Sequence, residues 1–313
     1  MKYIFALSLV IIVVFAFNSY KKHPNDEAKY NKLTPDEARI ILDKGTERPF
    51  SGEYNKSEKK GTYLCKRCST PLYRSSDKFV SSCGWPSFDD EIEGAIKRVP
   101  DKDGFRVEIQ CEHCGAHLGH VFTGEHMTAK NLRHCVNSLS LDFIPDIDHQ
   151  SRIRKAYFSG GCFWGMEYQF EKIDGVSDVV SGYMGGITKN PTYQDVSYKD
   201  TGHLESVEVT YDSKKVSYEE LVKLFFEIHD STQTNGQGPD IGSQYLSAIF
   251  FHTLKEREIA KKVITLLESK YHIHPATTLR YAKDFYKAEN YHQNYYSKKH
   301  GKPYCHVYKK IFD

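Results

Sequence analysis

The 313-residue sequence lacks several features that define simple functional classes. It has no long block of like charges, and its 43 Lys and Arg residues nearly balance its 41 Asp and Glu residues. This balance argues against binding to nucleic acid or another polyanion. It also lacks a Gly and Ser tract and an internal repeat. With 39% hydrophobic and 13% aromatic residues, it is not a disordered, collagen-like or multi-span membrane protein. Local motifs must therefore indicate the function.

Eight cysteines are too few over this length for a small fold held together by disulfides, but their uneven spacing requires an explanation. At about 150 residues per domain, the length predicts two domains. We place a polar linker at 146–153, between a first domain at 33–145 and a second domain at 154–313. Each domain has its own set of cysteines.

The two domains differ in their patterns. The first is rich in Gly, Ser and short β-like runs such as Phe105 to Ile109, so we expect mainly antiparallel β-sheets. A capping pattern that starts at Thr34 predicts a helix through about Leu42. The second domain combines alternating strands with amphipathic helices at 217–229 and 254–270, and we expect a two-layer α+β fold.

The N-terminus carries an apolar run from Tyr3 to Phe17, interrupted only by Ser8 and preceded by Lys2. This pattern is typical of a secretory signal, and a slightly longer helix would make a short membrane anchor. We leave both readings open for residues 1–20 and expect a tether at 21–32. Either reading predicts an exported protein that is periplasmic, or anchored in a membrane and facing outside. A buried core helix is less supported, because the run has no polar face.

Four cysteines form two C-x-x-C pairs, a spacing typical of zinc knuckles. Two such knuckles can close a tetrahedral thiolate site, which predicts one structural Zn²⁺ that ties the β structure together. A redox or disulfide role for these cysteines is the alternative. A four-thiolate site leaves no open coordination position, so we expect it to stabilise the domain and to take no part in catalysis. The proposed ligands are Cys65, Cys68, Cys111 and Cys114.

Two more cysteines of the first domain, Cys83 and Cys135, lie outside this cluster. Either could be an inert buried thiol. Cys135, however, follows Arg133 and His134, and positive charge there would favour the thiolate that a nucleophile requires. The nearby segment HLGHVF adds His117 and His120 as candidate proton donors, although a single histidine is more often structural.

These motifs together resemble the B-type methionine sulfoxide reductase domain over about 33–145. The resemblance rests on the strings TERPFSG, CGWPSF, HLGHVF and RHCVNS and on both C-x-x-C pairs, in this order. It implies that Cys135 is the nucleophile, that Cys83 is the resolving cysteine and that Trp85 contacts the substrate methyl group. It also implies that four residues line the site, namely His117, His120, Arg133 and Asn137. Many members of the family have an Asp soon after HVF, and whether Glu125 replaces it here stays open.

A second thiol centre is predicted at Cys162, in the segment GGCFWGME. The segment follows a strand and opens a helix, so free N–H groups and the helix dipole should lower the pKa of this thiol. Phe163 and Trp164 could be core aromatics, but beside a nucleophile they favour an apolar pocket for a methyl group.

This segment and four others resemble the A-type methionine sulfoxide reductase across 154–313. The other strings are NPTY, GHLE, QGPDIGSQY and YHQ. The resemblance implies that Cys162 attacks, that Glu205 protonates the sulfoxide oxygen and that Cys305 resolves. It further implies that several residues bind the substrate, namely Phe163, Trp164, Tyr193, Asp240 and Tyr245.

Two residues depart from the usual A-type pattern. Leu246 and Ser231 stand where the family commonly has Arg and Pro, and we expect these departures to affect packing more than chemistry.

The two resemblances imply one enzyme that reduces both epimers of methionine sulfoxide, free or in oxidised proteins. The A-type domain would act on the S epimer and the B-type domain on the R epimer. In each, a sulfenic acid would condense to a disulfide that thioredoxin or a similar dithiol reduces, with no organic cofactor. A zinc-ribbon module for nucleic acid is disfavoured because there is no basic stripe. A general thiol–disulfide oxidoreductase that uses its C-x-x-C pairs as redox dithiols is the other alternative. The sequence does not indicate an oligomeric state.

Overall fold

The structure is a computed structural model that describes residues 29–146 and 151–313. The predicted signal or anchor segment at 1–20 lies outside the described residues, as do most of the predicted tether and residues 147–150 of the predicted linker. Within the two described ranges, no helix has both the length and the apolar character needed to cross a membrane.

The first domain consists of one short helix and a series of short strands. Helix α1 (Pro35–Ile41) begins with a complete capping box, in which Thr34 and Glu37 each bond the other's backbone N–H, as predicted. The strands are β1 (Gly61–Cys65), β2 (Pro71–Arg74), β3 (Lys78–Phe79), β4 (Ser87–Phe88), β5 (Ile96–Pro100), β6 (Val107–Cys111), β7 (His117–Thr123), β8 (Leu132–Val136) and β9 (Leu141–Pro145).

These strands form two antiparallel sheets. The smaller sheet has the order β2-β1-β9, and the larger has the order β3-β4-β8-β7-β6-β5. A shared core of buried residues from both sheets includes Tyr63, Tyr73, Phe88 and Leu118. The prediction of a mainly antiparallel β domain is therefore confirmed. The expected strand from Phe105 begins two residues later, because Phe105 lies in a turn and is 95% exposed.

The second domain combines helices with a large mixed sheet. Its helices are α2 (Phe163–Phe170), α3 (Tyr193–Tyr198), α4 (Tyr218–Glu227), α5 (Leu254–Lys270) and α6 (Tyr295–Lys299). Its strands are β10 (Ile153–Ser159), β11 (Val176–Met184), β12 (Leu204–Asp212), β13 (Gly236–Gln237), β14 (Asp240–Ile241), β15 (Ala248–Phe251), β16 (Thr278–Tyr281) and β17 (Phe285–Lys287).

Six of these strands form one sheet in the order β16-β15-β10-β12-β11-β17, in which only β15 and β16 run parallel. Apolar residues of α2, α4 and α5 share the main core of this domain with one face of the sheet. A smaller cluster that includes Tyr157, Leu204 and Leu246 lies on the other face. The predicted α+β fold is confirmed, and Leu246 has a packing role.

The two domains contact each other through a small apolar cluster and a few polar links. Leu64 and Ile144 of the first domain pack with Phe251 of the second. Lys283 pairs with Asp142 at 3.0 Å. The contact places strand β16 against the first domain.

Candidate functional site

The four C-x-x-C cysteines meet at one point between the two sheets of the first domain. Their sulfur atoms all lie within 4.8 Å of one another, and Cys65–Cys114 and Cys68–Cys111 are each 3.6 Å apart. Tetrahedral Zn–S bonds of about 2.3 Å require sulfur separations of about 3.8 Å, so this donor set fits zinc. The cluster does not form two separate exposed dithiols.

The two knuckles have the same backbone hydrogen bonds. The N–H of Ser69 donates to the carbonyl of Cys65, and that of Gly115 donates to the carbonyl of Cys111, each at 2.8 Å. The turn needs a left-handed residue, which Gly115 supplies without strain at φ 70° and Ser69 supplies at φ 56°. The Ser69 hydroxyl accepts hydrogen bonds from Asn31 and from the N–H of Tyr281 in the second domain. The first knuckle is therefore part of the domain contact.

The remaining thiols of the first domain lie next to each other. Cys135 lies on β8, where it pairs with Ser87 on one side and His120 on the other. Its sulfur is 3.8 Å from that of Cys83, and both thiols are partly exposed. A disulfide bond is about 2.0 Å long, so only a small movement would join them.

The two thiols influence each other's ionisation. Their contact, in which either sulfur could be the donor, lowers the pKa of Cys83 to about 4 and raises that of Cys135. The charge of Arg133 opposes the rise at Cys135. The pair therefore favours a single negative charge next to Arg133.

The expectation that His134 adds positive charge beside Cys135 is wrong. Successive strand residues point to opposite faces, so Arg133 lies on the face of Cys135 and His134 on the other. His134 is fully buried against Tyr73, and burial lowers its pKa to about 4, which leaves it neutral. Arg133 makes two bonds to Glu125, at 2.7 and 2.8 Å.

His117 and His120 lie on one face of β7 because the strand contains a bulge. Ile109 of β6 pairs with Gly119 and Gln110 pairs with His117, which leaves Leu118 as the extra residue. Without this bulge, His117 and His120, which are three residues apart, would point to opposite faces of the strand. The two rings lie 5.6 Å apart.

Acidic partners, which were not predicted from the sequence, orient both histidines: Glu108 is buried and Asp101 is partly exposed. His117 Nδ1 lies 2.7 Å from Glu108, which also pairs with Lys44, and His120 Nε2 lies 2.7 Å from Asp101. Burial lowers the pKa of His117, and Glu108 partly offsets this. Within the described chain, His117 Nε2 is buried without a hydrogen-bond partner. With Nδ1 bound to Glu108, Nε2 is the nitrogen left for a ligand, and the role of His117 as a proton donor stays a prediction.

Trp85 and Asn137 are both tied to the segment around Glu47. The Trp85 indole donates to the Glu47 carbonyl at 3.2 Å, which fixes the ring. The Asn137 amide accepts from the Glu47 N–H and donates to the Leu118 carbonyl. Because backbone groups use both ends of this amide, Asn137 holds the site together, and its contact with substrate stays a prediction.

In the second domain, Cys162 and Glu205 lie side by side. Cys162 is the N-cap of α2 and is 8% exposed, and Glu205 lies on the central strand β12 and is 2% exposed. The N–H of Phe163 donates to a Glu205 carboxyl oxygen at 3.1 Å. Burial raises the pKa of Glu205 to about 8, so this group is a neutral acid at pH 7. A solvated strand carboxylate, the alternative for Glu205, is excluded.

The expectation that the helix N-terminus lowers the pKa of Cys162 is wrong. The pKa of Cys162 is raised, first by burial and then by Glu205, although a hydrogen bond from the Trp164 N–H acts in the opposite direction. Desolvation therefore outweighs the helix effect, and the resting group is a thiol.

The two aromatic residues after Cys162 have different surroundings. Phe163 is 1% exposed and belongs to the main core, whereas Trp164 is partly exposed and stacks on Tyr295 at 3.7 Å. The Trp164 indole donates to His292 Nδ1 at 3.0 Å. Trp164 is thus the better placed of the two to contact a substrate.

Other sequence-predicted residues of the second site gather around Cys162 and Glu205. The pKa values of Tyr193 and Tyr245 are both raised, first by burial and then by Glu205, and Cys162 contributes to both. Asp240 accepts a hydrogen bond from Tyr304, next to Cys305 in the chain. The structure therefore brings both tyrosines, Asp240 and Cys305 to one region.

Two residues that support this site, Glu289 and His292, were not predicted from the sequence. Glu289 accepts hydrogen bonds from the Tyr183 hydroxyl and the Tyr193 N–H, and His292 packs between Phe163, Trp164 and Tyr193. The YHQ string contained His292, but only the fold shows what this residue contacts.

Comparisons with known proteins match each domain to a family. The family described as SelR domain matches residues 33–145, and the family described as peptide methionine sulfoxide reductase matches residues 154–312.

Individual relatives match the domains separately. Over 150 residues the chain is 49% identical to peptide methionine sulfoxide reductase MsrA 1 of Rhodopirellula baltica, which covers 48% of this chain and 78% of that protein. Over 129 residues it is 53% identical to peptide methionine sulfoxide reductase B5 of Oryza sativa subsp. japonica, a match that covers 41% of this chain and 95% of that protein. Mxr1 from Saccharomyces cerevisiae in reduced form is 32% identical, with a TM-score of 0.49, over 52% of this chain and 96% of that chain.

Both types of domain occur in this one chain. The protein belongs to the peptide methionine sulfoxide reductases, as a fusion of a B-type SelR domain with an A-type domain.

Proposed function

We propose that Cys135 reduces the R epimer of methionine sulfoxide and that Cys162 reduces the S epimer. One observation carries this proposal: each domain places a cysteine near a group that can pass a proton to an oxygen. In the second domain this group is Glu205, beside Cys162. In the first domain it is the pair His117 and His120, near Cys135. A sulfoxide sulfur is a poor electrophile until its oxygen is protonated, so both parts are required.

The reaction has the same two steps at each site. The cysteine sulfur attacks the sulfoxide sulfur while the acid protonates the oxygen, so methionine leaves and the cysteine becomes a sulfenic acid. The resolving thiol, Cys83 or Cys305, then attacks that sulfur, and water leaves as the disulfide forms. The 3.8 Å separation of Cys83 and Cys135 supports this step in the first domain.

An epimer-resolved assay tests the division of labour. We expect Cys162→Ser to lose reduction of the S epimer and keep that of the R epimer, and Cys135→Ser to do the reverse. Loss of both activities in either variant would contradict the two-site assignment.

The disulfides must be reduced from outside, and no organic cofactor is needed because thiols supply the electrons. We propose thioredoxin or a similar dithiol as the donor, and oxidised proteins and free methionine sulfoxide as substrates. Turnover of both epimers with a thioredoxin system, and none without a reductant, would support this. Cycling without any dithiol would contradict it.

We propose that Cys65, Cys68, Cys111 and Cys114 hold one structural Zn²⁺. Bound there, the ion would link the two sheets and take no part in the reaction. The reduced protein should contain one zinc ion and four titratable thiols. Eight accessible thiols and no zinc would instead favour the general thiol–disulfide oxidoreductase.

We also propose that the chain is exported, on the basis of the apolar run from Tyr3 to Phe17. N-terminal sequencing of the mature protein would distinguish a cleaved signal from a retained anchor. Recovery of the full-length chain in the cytoplasm would contradict export.

A further inference from the structure

His306 is a buried residue that contacts the proposed resolving cysteine, and none of the steps above uses it. Its Nε2 lies 2.8 Å from the carbonyl oxygen of Gly160, and its Nδ1 lies 2.9 Å from the sulfur of Cys305. A carbonyl oxygen can only accept, so Nε2 carries the hydrogen and Nδ1 keeps its lone pair. The Cys305 thiol therefore donates to Nδ1.

The turn that carries Cys162 has a space shaped for this ring. A Cβ atom on Gly165 would lie 2.3 Å from His306 Nδ1, and one on Gly161 would lie 3.4 Å from its Cε1. Only a residue without a side chain leaves room for the ring at position 165. Gln169 of α2 also donates a hydrogen bond to the His306 carbonyl. The ring is thus packed against the residues on both sides of Cys162.

Both partners of this contact are uncharged at neutral pH. Burial lowers the pKa of His306 to about 4 and raises that of Cys305 to about 12, with Asp240 adding to the rise. The other titratable groups around this contact are also uncharged at pH 7. Burial raises the pKa values of Cys162, Tyr296 and Tyr304 and lowers that of His229 to about 4. Glu205 adds to the rise at Cys305 only once its carboxyl group ionises, above about pH 8. A free Cys305 thiolate is therefore scarce, and the thiol must lose its proton as the new bond forms.

We propose that His306 Nδ1 is the base that takes the proton of Cys305 when Cys305 attacks the sulfenic acid of Cys162. As the S–S bond forms, the S–O bond of the sulfenic acid breaks, and the Cys305 proton moves to Nδ1. The leaving oxygen gains that proton and departs as water, which returns His306 to its neutral form. Cys305 sulfur is oxidised and Cys162 sulfur is reduced. This inference rests on the proposed function, in which Cys305 resolves.

Two substitutions separate the functions of the ring. In His306→Gln the amide can still donate to the Gly160 carbonyl but offers no acceptor at the Nδ1 position. In His306→Asn the amide oxygen can replace Nδ1 as an acceptor but cannot take the proton. Both variants should release one equivalent of methionine from the S epimer at the normal rate in rapid-quench experiments. Disulfide formation should slow by about 10²–10⁴-fold, the usual range for a lost general base. Its rate is measured as the disappearance of the sulfenic acid that dimedone can trap.

The pH profile distinguishes a base from a packing residue. Without a base only the Cys305 thiolate attacks, so the resolution rate of either variant should rise about tenfold per pH unit between pH 6 and 9, below the pKa of Cys305. The wild-type rate should be much flatter, because His306 stays unprotonated over this range. Exposed His274→Gln is the control and should behave as wild type.

Three outcomes would overturn the inference. A normal resolution rate in His306→Gln means that the ring is not the base. A slow rate with a wild-type pH profile, or loss of the first turnover in both variants, means that the ring only supports the turn around Cys162. The variant Cys305→Ser tests the proposed function separately. If this variant cycles normally, another thiol resolves. If it does not cycle while His306→Gln resolves at the normal rate, Cys305 is the resolving cysteine but His306 is not its base.

Discussion

At the scale of single residues, Glu205 shows how burial produces an acid at neutral pH. The carboxyl group is nearly inaccessible and accepts one backbone hydrogen bond, which does not compensate for desolvation. The neutral form therefore dominates below a pKa of about 8. The fold thus supplies a proton next to Cys162.

Replacing Glu205 by Gln should slow the S-epimer step by about 10²–10⁴-fold in pre-steady-state measurements, because an amide can donate a hydrogen bond but cannot give up a proton in its place. The wild-type step should also slow as the pH rises through about 8, since the carboxyl group then ionises. This dependence should disappear in the variant.

The matched control is Glu208→Gln, on the same strand. The Glu208 carboxylate bonds Lys155 and Tyr157, and its side chain lies on the face of β12 opposite to that of Glu205. The Glu208→Gln variant should leave the S-epimer step unchanged. R-epimer reduction should be normal in both Glu205→Gln and Glu208→Gln. A loss of less than about tenfold in Glu205→Gln would mean that Tyr193 or Tyr245 is the acid.

Glu108 has a corresponding role in the first domain. Its carboxylate accepts from His117 Nδ1, so it stabilises the protonated ring that would donate to the sulfoxide oxygen. In Glu108→Gln this charge is lost, and we expect R-epimer reduction to fall by about tenfold or more, toward the range of general acid catalysis. Single-turnover rates should show this, with exposed Glu93→Gln as the control. A larger effect on KM than on the first-turnover rate would contradict this role.

At the scale of secondary structure, the C-terminal segment 300–313 is an element without regular structure that holds Cys305 and His306 in place. Phe312 is buried in the main core and packs on Tyr271. The Glu227 carboxylate accepts the N–H groups of Ile311 and Phe312. One end of this segment is therefore anchored to α4, away from the thiols.

Loosening this anchor should affect recycling more than the first chemical step. Phe312→Ala removes buried surface worth about 3–5 kcal/mol in a rigid core, and at a chain end much of this loss should appear as local opening. We expect S-epimer cycling with a dithiol to slow while the first equivalent of methionine forms normally. Exposed Val307→Ala in the same segment is the control. Equal loss in both phases would mean that the segment also shapes the Cys162 pocket.

Local patterns in the sequence predicted the elements well where their own side chains determine them. The cap predicted at Thr34 begins a helix because its hydroxyl bonds a free N–H of the first turn. The helices predicted at 217–229 and 254–270 begin in the same way, at the caps Ser217 and Thr253. The bulge at Leu118 could not be predicted, because it depends on the register between β6 and β7. The placement of His117 and His120 on one face follows from that register.

At the scale of the whole molecule, the sequence predicted two domains and the cysteines of both sites, but it could not predict most of the residues that support them. Glu205 reaches Cys162 because β12 pairs with β10, whose end leads into the Cys162 turn. Glu108 of β6 reaches His117 on the neighbouring strand β7. Such contacts depend on long-range pairing, for which spacing along the chain gives no signal. The pKa of Cys162 was mispredicted for a related reason, since burial is a property of the complete fold.

The first zinc knuckle links the proposed metal to the second domain. Its left-handed residue, Ser69, accepts the N–H of Tyr281. Removal of the metal with a strong chelator should unfold the knuckles, lower the Tm of the first domain and speed hydrogen exchange at the Tyr281 N–H. Exchange at Val207, in the middle of the sheet, is the control and should change little. Unchanged exchange at Tyr281 after loss of the metal would contradict the link.

The position of β16 has a further consequence for the edge of the large sheet in the second domain. In this parallel pair, alternate N–H groups of β16 bond β15, and those between them point outward, where the Tyr281 N–H meets Ser69. An edge strand with free N–H and C=O groups is a template for pairing with another chain. Here the first domain covers that edge and buries Phe251 beside it, together with Leu64 and Ile144. The first domain therefore hinders the pairing of another chain with this edge, an effect that is independent of either catalytic site.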